Sequence, residues 1–364
     1  MKSIVRSSKA GNVSTAVSEA AGSESRPLGI IFMSDYARFA DISKALREKF
    51  PDTQIIGTAG TVYHGSQIDD TSILIVTMIT GDASVSAGVI TNLSKCPLGD
   101  MYKLSDSVRM VNPQHSDTVC IEFCTTNEEV LVSSMNVVLK PNNVALAGGT
   151  VFGAPDGQPS LVAYNGQIWQ DACVYMVIKN LTGKAYVMRE NIYDRADGPA
   201  HIATKVNLSK KEVTELDHKP AADVYAAETG VPRGNIVNNV MLAPFGRVVD
   251  QDIYISSMNG VDAHGGITNY KKINQNDALY ILKLLDYRSI NEQTRRQISQ
   301  KVSHPSLIFS VNCIYRYLLF KQEGYLTDFL SGMAKLGPFV GYIGGGEQYN
   351  RQHVNQTMVC AVFE

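Results

Sequence analysis

An excess of charge of either sign is missing from this chain. The 33 basic residues face 35 acidic ones, for a net charge of −2. No surplus cation is available to displace counterions from a phosphate backbone, so nucleic acid is not an expected partner. Long apolar runs are missing too. The longest, such as Ser72-Ile-Leu-Ile-Val-Thr-Met-Ile79, are strand-sized, far below the roughly 20 residues that cross a bilayer. Lys2, Arg6 and Lys9 are followed by Gly11-Asn-Val-Ser-Thr-Ala-Val17 rather than by the apolar stretch of a signal peptide, so a cytoplasmic location without membrane attachment is expected. Cysteine pairs are absent. Cys96, Cys120, Cys124, Cys173, Cys313 and Cys360 are scattered without a Cys-x-x-Cys, which excludes a disulfide scaffold and a structural zinc site and points to inert core thiols.

Catalytic punctuation is equally sparse. There is no His-Glu-x-x-His, no Gly-x-Ser-x-Gly and no Cys-x-x-Cys-His. The loop Gly60-Thr-Val-Tyr-His-Gly65-Ser66 has the glycine spacing of a phosphate loop but lacks the lysine before its serine, and Gly148-Gly-Thr-Val-Phe-Gly153 does not reproduce the dinucleotide fingerprint. Lys2 after Met1 leaves no Ser, Thr or Cys as a terminal nucleophile, so a hydrolase of that kind is the weaker alternative and no enzyme activity is expected.

What is present is a globular composition, 44% hydrophobic and 19% charged over 364 residues, long enough for two lobes with their own interiors. One unit occurs three times: an apolar strand, a helix, a short strand entering a Gly-rich turn, and a later apolar strand. The first copy runs from Gly29-Ile-Ile-Phe-Met33 through Phe39, Ile42, Leu46 and Phe50 to Ile55-Ile-Gly57-Thr-Ala-Gly60 and closes at Ile73 to Met78. The second runs from Val119 to Phe123, through Val130, Leu131, Val137 and Val138, to Val144-Ala-Leu-Ala-Gly148-Gly-Thr150, and closes at Ala172 to Ile178. The third takes Leu307 to Val311, a helix bearing Leu318, Leu319, Leu326, Phe329 and Leu330, Phe339-Val-Gly341, and the strand Val359 to Phe363. The helices carry apolar residues at spacings of three, four or seven, which buries one stripe on a sheet. Pro51, Pro141 or Pro338 then turns each chain back.

The spacing predicts an α/β (mixed α+β) fold: two lobes of mixed β-sheets flanked by helices. Residues 1–27 are expected to be a mobile arm with a short helix around Thr15 to Ala21, residues 28–217 a first module and residues 218–364 a second. The stretch from about His201 to Arg288 differs, with strands at Ile202 to Val206, Ile253 to Ser257 and Ala278 to Leu282. The helix Pro220-Ala-Ala-Asp-Val-Tyr225 to Gly230 has proline at its start and glycine at its end.

The three glycine loops are expected to converge on one ligand. The first offers Gly57, Thr58, Gly60, Thr61 and His64, the second Gly148, Gly149 and Thr150, and the third Gly341, Gly346, Glu347, His353 and Asn355. Arg247, after Pro244-Phe-Gly246, is a further anion anchor. Glu347 could take the ammonium of a zwitterion such as an amino acid while a backbone nest takes its carboxylate. The alternative is that Glu347 caps a turn and Asn355 bonds to backbone. No two of the seven histidines form a ligand-spaced pair, so no metal site is expected. Cys96-Pro97 is a weak candidate thiolate for haem.

The segment Gly341-Tyr342-x-x-x-Gly346-Glu347 followed by Asn355-x-Thr357 and an apolar strand resembles the C-terminal signature of FIST proteins. Phe50-Pro51 with Ile56-Gly57 resembles the N-terminal FIST module, and Pro220-Ala-Ala-Asp-Val-Tyr225 the join between modules; the likeness covers roughly residues 28 to 364. Where many relatives read Gly-Cys-Ser-Thr this chain reads Gly57-Thr-Ala-Gly60, so no thiol role carries over. The resemblance implies a sensory module of signal transduction that binds a small ligand, with an amino acid as one candidate, and works with a histidine kinase, cyclase or chemotaxis-type partner. Some relatives bind haem and sense nitric oxide, which makes haem the alternative ligand; no cofactor is required otherwise.

Overall fold

A computed structural model of the chain describes residues 1–69, 73–249 and 252–364. The first strand, β1 (Lys2–Ser8), pairs antiparallel along its length with a later strand and is followed by α1 (Val13–Ala21). The expected mobile arm is therefore an ordered edge. Ile4 and Val5 pack on opposite apolar clusters, and Asn12 caps α1 by accepting the Thr15 N–H at 3.0 Å.

The chain then passes through β2 (Gly29–Ser34), α2 (Phe39–Lys49), β3 (Gln54–Ala59), β4 (Val62–His64), β5 (Gln67–Asp69) and β6 (Leu74–Gly81). Every residue of β2 is buried, as a strand covered on both faces requires. α2 buries Phe39, Ile42, Ser43 and Leu46, a single stripe at helical spacing. Ser72, which opens the apolar run noted above, lies outside the described residues. A second passage contains β7 (Ala83–Thr91), α3 (Met101–Val111), β8 (Thr118–Cys124), α4 (Glu128–Leu139), β9 (Ala145–Thr150), β10 (Val162–Tyr164), β11 (Gln167–Trp169), β12 (Ala172–Asn180) and β13 (Ala185–Asn191).

Next come β14 (Tyr193–Arg195), β15 (His201–Asn207), β16 (Glu212–Leu216), β17 (Lys219–Pro220), α5 (Ala221–Thr229), β18 (Phe245–Val249), β19 (Asp252–Ser256), β20 (Met258–Val261), β21 (Ile267–Asn269) and β22 (Ala278–Leu284). α5 stops at Gly230, whose left-handed backbone (φ 73°) donates to the Ala226 carbonyl. The last passage is α6 (Tyr287–Lys301), β23 (Leu307–Cys313), α7 (Ile314–Gln322), α8 (Leu326–Ala334), β24 (Phe339–Gly344), β25 (Glu347–Tyr349), β26 (Gln352–Val354) and β27 (Thr357–Phe363).

The architecture is mixed α/β, with several mixed sheets and flanking helices. Three six-stranded sheets have the orders β1-β6-β2-β3-β10-β11, β26-β25-β9-β8-β12-β7 and β13-β27-β23-β24-β4-β5. Each contains a parallel pair, β2/β3, β8/β9 or β23/β24, whose strands are separated in the chain by helix: α2, α4, or α7 with α8. Each also contains a hairpin that belongs, in sequence, to another sheet. β4–β5 follows β3 yet pairs with β24; β10–β11 follows β9 yet pairs with β3; β25–β26 follows β24 yet pairs with β9. The exchange links the three sheets in a ring around one apolar cluster that includes Ile31, Ile56, Phe123, Met176, Phe309 and Val340.

That ring is one compact unit, Met1–Arg189 with Glu292–Gln352 and Met358–Glu364; the other is Glu190–Asn291 with His353–Thr357. The division expected just before Pro220 is thus not where the compact units part. The reason is the hairpin exchange: the third strand–helix–strand passage is hydrogen-bonded into the sheets of the first two.

Candidate functional site

The ring places three glycines at corresponding positions, and each is fixed by what lies over it. Gly57 is opposite Phe32 and Ala163, Gly148 opposite Glu122 and Gln348, and Gly341 opposite Ser310 and Tyr63. A Cβ would fall 2.2 Å from the Phe32 ring at Gly57, 2.1 Å from the Glu122 carboxyl at Gly148, and 1.9 Å from the Ser310 carbonyl oxygen at Gly341. The hairpin tips correspond as well. Gly65, Asn165 and Asn350 have φ of 59°, 48° and 49°, and their N–H groups donate to Phe339, Ile55 and Leu146 at 2.8, 2.9 and 3.0 Å. The loop with phosphate-loop spacing is therefore the β4–β5 hairpin.

The glycine bends meet, but they meet one another. Ile343 N–H donates to Thr61 O at 2.9 Å, Thr150 N–H to Gly346 O at 2.9 Å, Gly345 N–H to Thr150 O at 3.0 Å, and Gly60 N–H to Ser34 O at 3.0 Å. These donors are already committed, which corrects the expectation that they form a nest for a ligand carboxylate. Thr58 lies buried within β3, and Gly149 pairs with Glu347.

Glu347 is not in an irregular turn either. It begins β25 and is fully buried, where the corresponding residues of the other two hairpins are Val62 and Val162. Its neighbours are polar. The Tyr63 hydroxyl lies 2.5 Å from Ser310 Oγ, and burial drives its pKa far up, with Arg316 opposing and Glu347 reinforcing the rise. Arg316 is fully buried, its guanidinium 4.8 Å from the Phe320 ring and 5.2 Å from that of Phe329. Tyr342 packs edge-on to Phe123 at 5.3 Å, and its hydroxyl finds no hydrogen-bond partner among the described residues.

On the α4 side of the second sheet, Gln348 donates to Thr150 Oγ1 at 3.3 Å and to Cys124 Sγ at 3.6 Å, and Cys173 donates to Glu122 at 3.4 Å. Burial pushes the Glu122 carboxyl up to about 8; the Cys173 and Cys124 thiols oppose the rise and Glu128 adds to it. Cys120, Cys124 and Cys173 are themselves pushed well up by burial and then by Glu122. These are inert thiols; Cys96 is the exposed one of the six.

His64 lies in β4, half-buried, with Nδ1 3.2 Å from Ser7 Oγ, and burial lowers its pKa. Arg247, His353 and Asn355 belong to the second unit. Arg247 pairs with Asp277 at 3.2 Å, the His353 carbonyl accepts from Lys271 at 2.6 Å, and Asn355 Oδ1 accepts from Ser257 N–H at 3.3 Å. The candidate residues thus divide between the two units, and most are buried.

A site that sequence reasoning missed lies along α5. His201 heads β15 and is held by two carboxylates, Nδ1 to Asp217 and Nε2 to Glu228, both at 2.6 Å. Burial alone would lower its pKa; the hydrogen bonds to Glu228 and Asp217 outweigh that and raise it. The Asp217 carboxyl, which burial would raise, is held below its usual value by His201 and the Ile202 N–H. Beside them is a cavity of about 530 Å³ lined by Pro199, His201, Asp217, Lys219, Asp223, Val224, Ala227 and Glu228. The partners of His201 are 16 and 27 residues away in sequence, beyond any local spacing rule. The legible signal was the start of α5, already noted as a module join.

With this geometry in view, a family model for the FIST N domain matches residues 27–219, and one for the FIST C domain matches residues 221–350. The chain belongs to the FIST family. FIST domains are associated with sensing in signal transduction and form a sensory, non-enzymatic family. A comparison with curated proteins gives no match. No helix among the described residues is long and apolar enough to cross a membrane.

Proposed function

We propose that this FIST protein senses a small zwitterionic metabolite, an amino acid being the simplest, in the α5 cavity, and signals through a partner such as a histidine kinase, cyclase or chemotaxis-type protein. The observation that supports this reading is the lining of the 530 Å³ space: Lys219 and His201 beside Asp217, Asp223 and Glu228, with Pro199, Val224 and Ala227 between them. Cationic and anionic groups around an apolar floor match a carboxylate, an ammonium and a side chain. Lys219 would receive the carboxylate. The side chains of Asp217 and Asp223 are 43% and 47% exposed, so the ammonium can reach them. Ligand shifts the population toward the state that binds it better, by no more than its differential affinity.

Haem is the second reading and has less support at this cavity. The cavity's one histidine has both ring nitrogens bonded to carboxylates and so offers no free imidazole nitrogen. We also propose that residues 28–217 and 218–364 act as the two sequence modules of the sensor, with residues 1–27 as an N-terminal extension. The test is a thermal-shift screen across amino acids, small carboxylates and haem. A ligand at 100 times its dissociation constant adds about 2.7 kcal/mol. A zwitterion that stabilises the wild type but not Lys219→Ala supports the proposal. A Soret band with haem and no response to any zwitterion would contradict it.

A further inference from the structure

The ring unit carries a cleft of about 330 Å³ at the tip of the β25–β26 hairpin, whose lining includes His115, Ser116, Asn136, Lys140, Asn143 and Arg351. No acidic side chain lines it. Its charged members are Lys140 and Arg351, with the His115 imidazole beside them. Among the described residues none of the three pairs with a carboxylate or donates a side-chain hydrogen bond, although ion pairs are frequent elsewhere on the chain.

Each of these three side chains stands beside a pinned turn. His115 precedes Ser116 (φ 62°), whose carbonyl accepts Ala185 N–H at 2.9 Å; Lys140 accepts Asn143 N–H at 3.1 Å with Asn143 at φ 55°; and Arg351 follows Asn350, fixed to Leu146 by the tip bonds. Lys140 also sits just past the C-terminus of α4, where a cation complements the helix dipole. That accounts for Lys140 but not for Arg351 or His115, which come from other segments.

The ring supplies an internal control. At the corresponding tip of the β10–β11 hairpin, the space is taken by Arg47. A Cβ on Gly166 would lie 2.9 Å from Arg47 Cβ, and the Arg47 guanidinium donates to Thr53 O at 3.1 Å. The cleft at Asn350 keeps its cations unspent where its counterpart uses one to bond backbone.

We infer that this cleft binds the phosphate group of a small phosphorylated metabolite. Arg351 supplies a planar fork, Lys140 adds point charge, and the His115, Asn136, Asn143 and Ser116 side chains supply further hydrogen-bond donors. The inference stands apart from the zwitterion site, which lies in the other compact unit, so either can fail without the other.

The experiment is isothermal titration of the full chain with inorganic phosphate and with glycerol 3-phosphate, at low salt and in 0.5 M NaCl. Lys140→Gln and Arg351→Gln, both at exposed positions, should melt with the wild type. Each should weaken binding about tenfold, the loss of one charge-assisted contact, and added salt should weaken the wild type further. Absence of binding by the wild type to both probes overturns the inference, as does a Lys140→Gln/Arg351→Gln double variant that binds as tightly as the wild type.

Discussion

The glycine-rich hairpin ring and the α5 cavity both gather carboxylates and a cation, but only one of the two is open to a solute. In the ring, Glu347, Gln348, Arg316 and Tyr63 are fully buried, and the bends around them satisfy each other's backbone groups. In the cavity, the Asp217 and Asp223 side chains stand nearly half exposed beside apolar walls. The most distinctive polar residues of a sequence can thus serve closure of the fold, while a ligand meets less conspicuous ones. Polar groups in the ring should therefore report on stability, and those of the cavity on binding.

The largest effect should come from Gly341→Ala. Its Cβ would meet a backbone oxygen at 1.9 Å, which cannot rotate away, so urea unfolding should show a loss of about 3 kcal/mol or more. Gly234→Ala, with nothing within 4 Å of its Cβ, should change stability by less than about 0.5 kcal/mol. Equal losses at the two positions would remove the argument from close approach.

Glu122→Gln should alter the pH dependence of stability. With the folded-state carboxyl near 8 against 4.5 for the free group, the folded chain keeps a proton that the unfolded chain has lost. Stability from this group therefore falls as pH rises from about 4.5 to about 8, by up to about 1.4 kcal/mol per pH unit. The Gln variant, read by denaturant melts at pH 5 and pH 8, should have the flatter profile.

A smaller effect in the same pH direction belongs to His201. Its pKa is raised by its two carboxylates, so its contribution is complete below about pH 6.5 and is lost as pH rises through the higher folded-state value. Asp217→Asn should cost more unfolding free energy at pH 6 than at pH 9 in denaturant melts, by less than about 1 kcal/mol for a half-exposed pair. Smallest on stability and largest on binding should be Lys219→Ala, whose melt matches the wild type without ligand.

Much of this fold was legible because its signals are periodic or local. The buried run of β2, the stripe of α2, the glycine after α5 and the three-part ordering of strands and helices all follow from spacing along the chain. The hairpin exchange was not legible. Whether β4 returns to β3 or crosses to β24 depends on which edge is free in three dimensions, and Val62, Val162 and Glu347 carry no local mark of their shared position. Residues 2–8 carry a weak strand signal because Lys2, Ser3 and Arg6 surround Ile4 and Val5, and an edge strand needs only one such apolar residue on each face. At the site, Glu347 drew attention as a charge among glycines, yet its burial follows from the pairing of Gly149 with β25. The His201 cluster stayed hidden because Asp217 and Glu228 approach it through folding alone.

Hydrogen–deuterium exchange of the full chain, with and without a saturating zwitterion found in the thermal screen, compares the two regions in one measurement. Slowed exchange across residues 199–229, with residues 339–350 unchanged, is the result predicted here. Protection confined to residues 339–350 would return the ligand to the glycine bends and contradict the assignment to the α5 cavity.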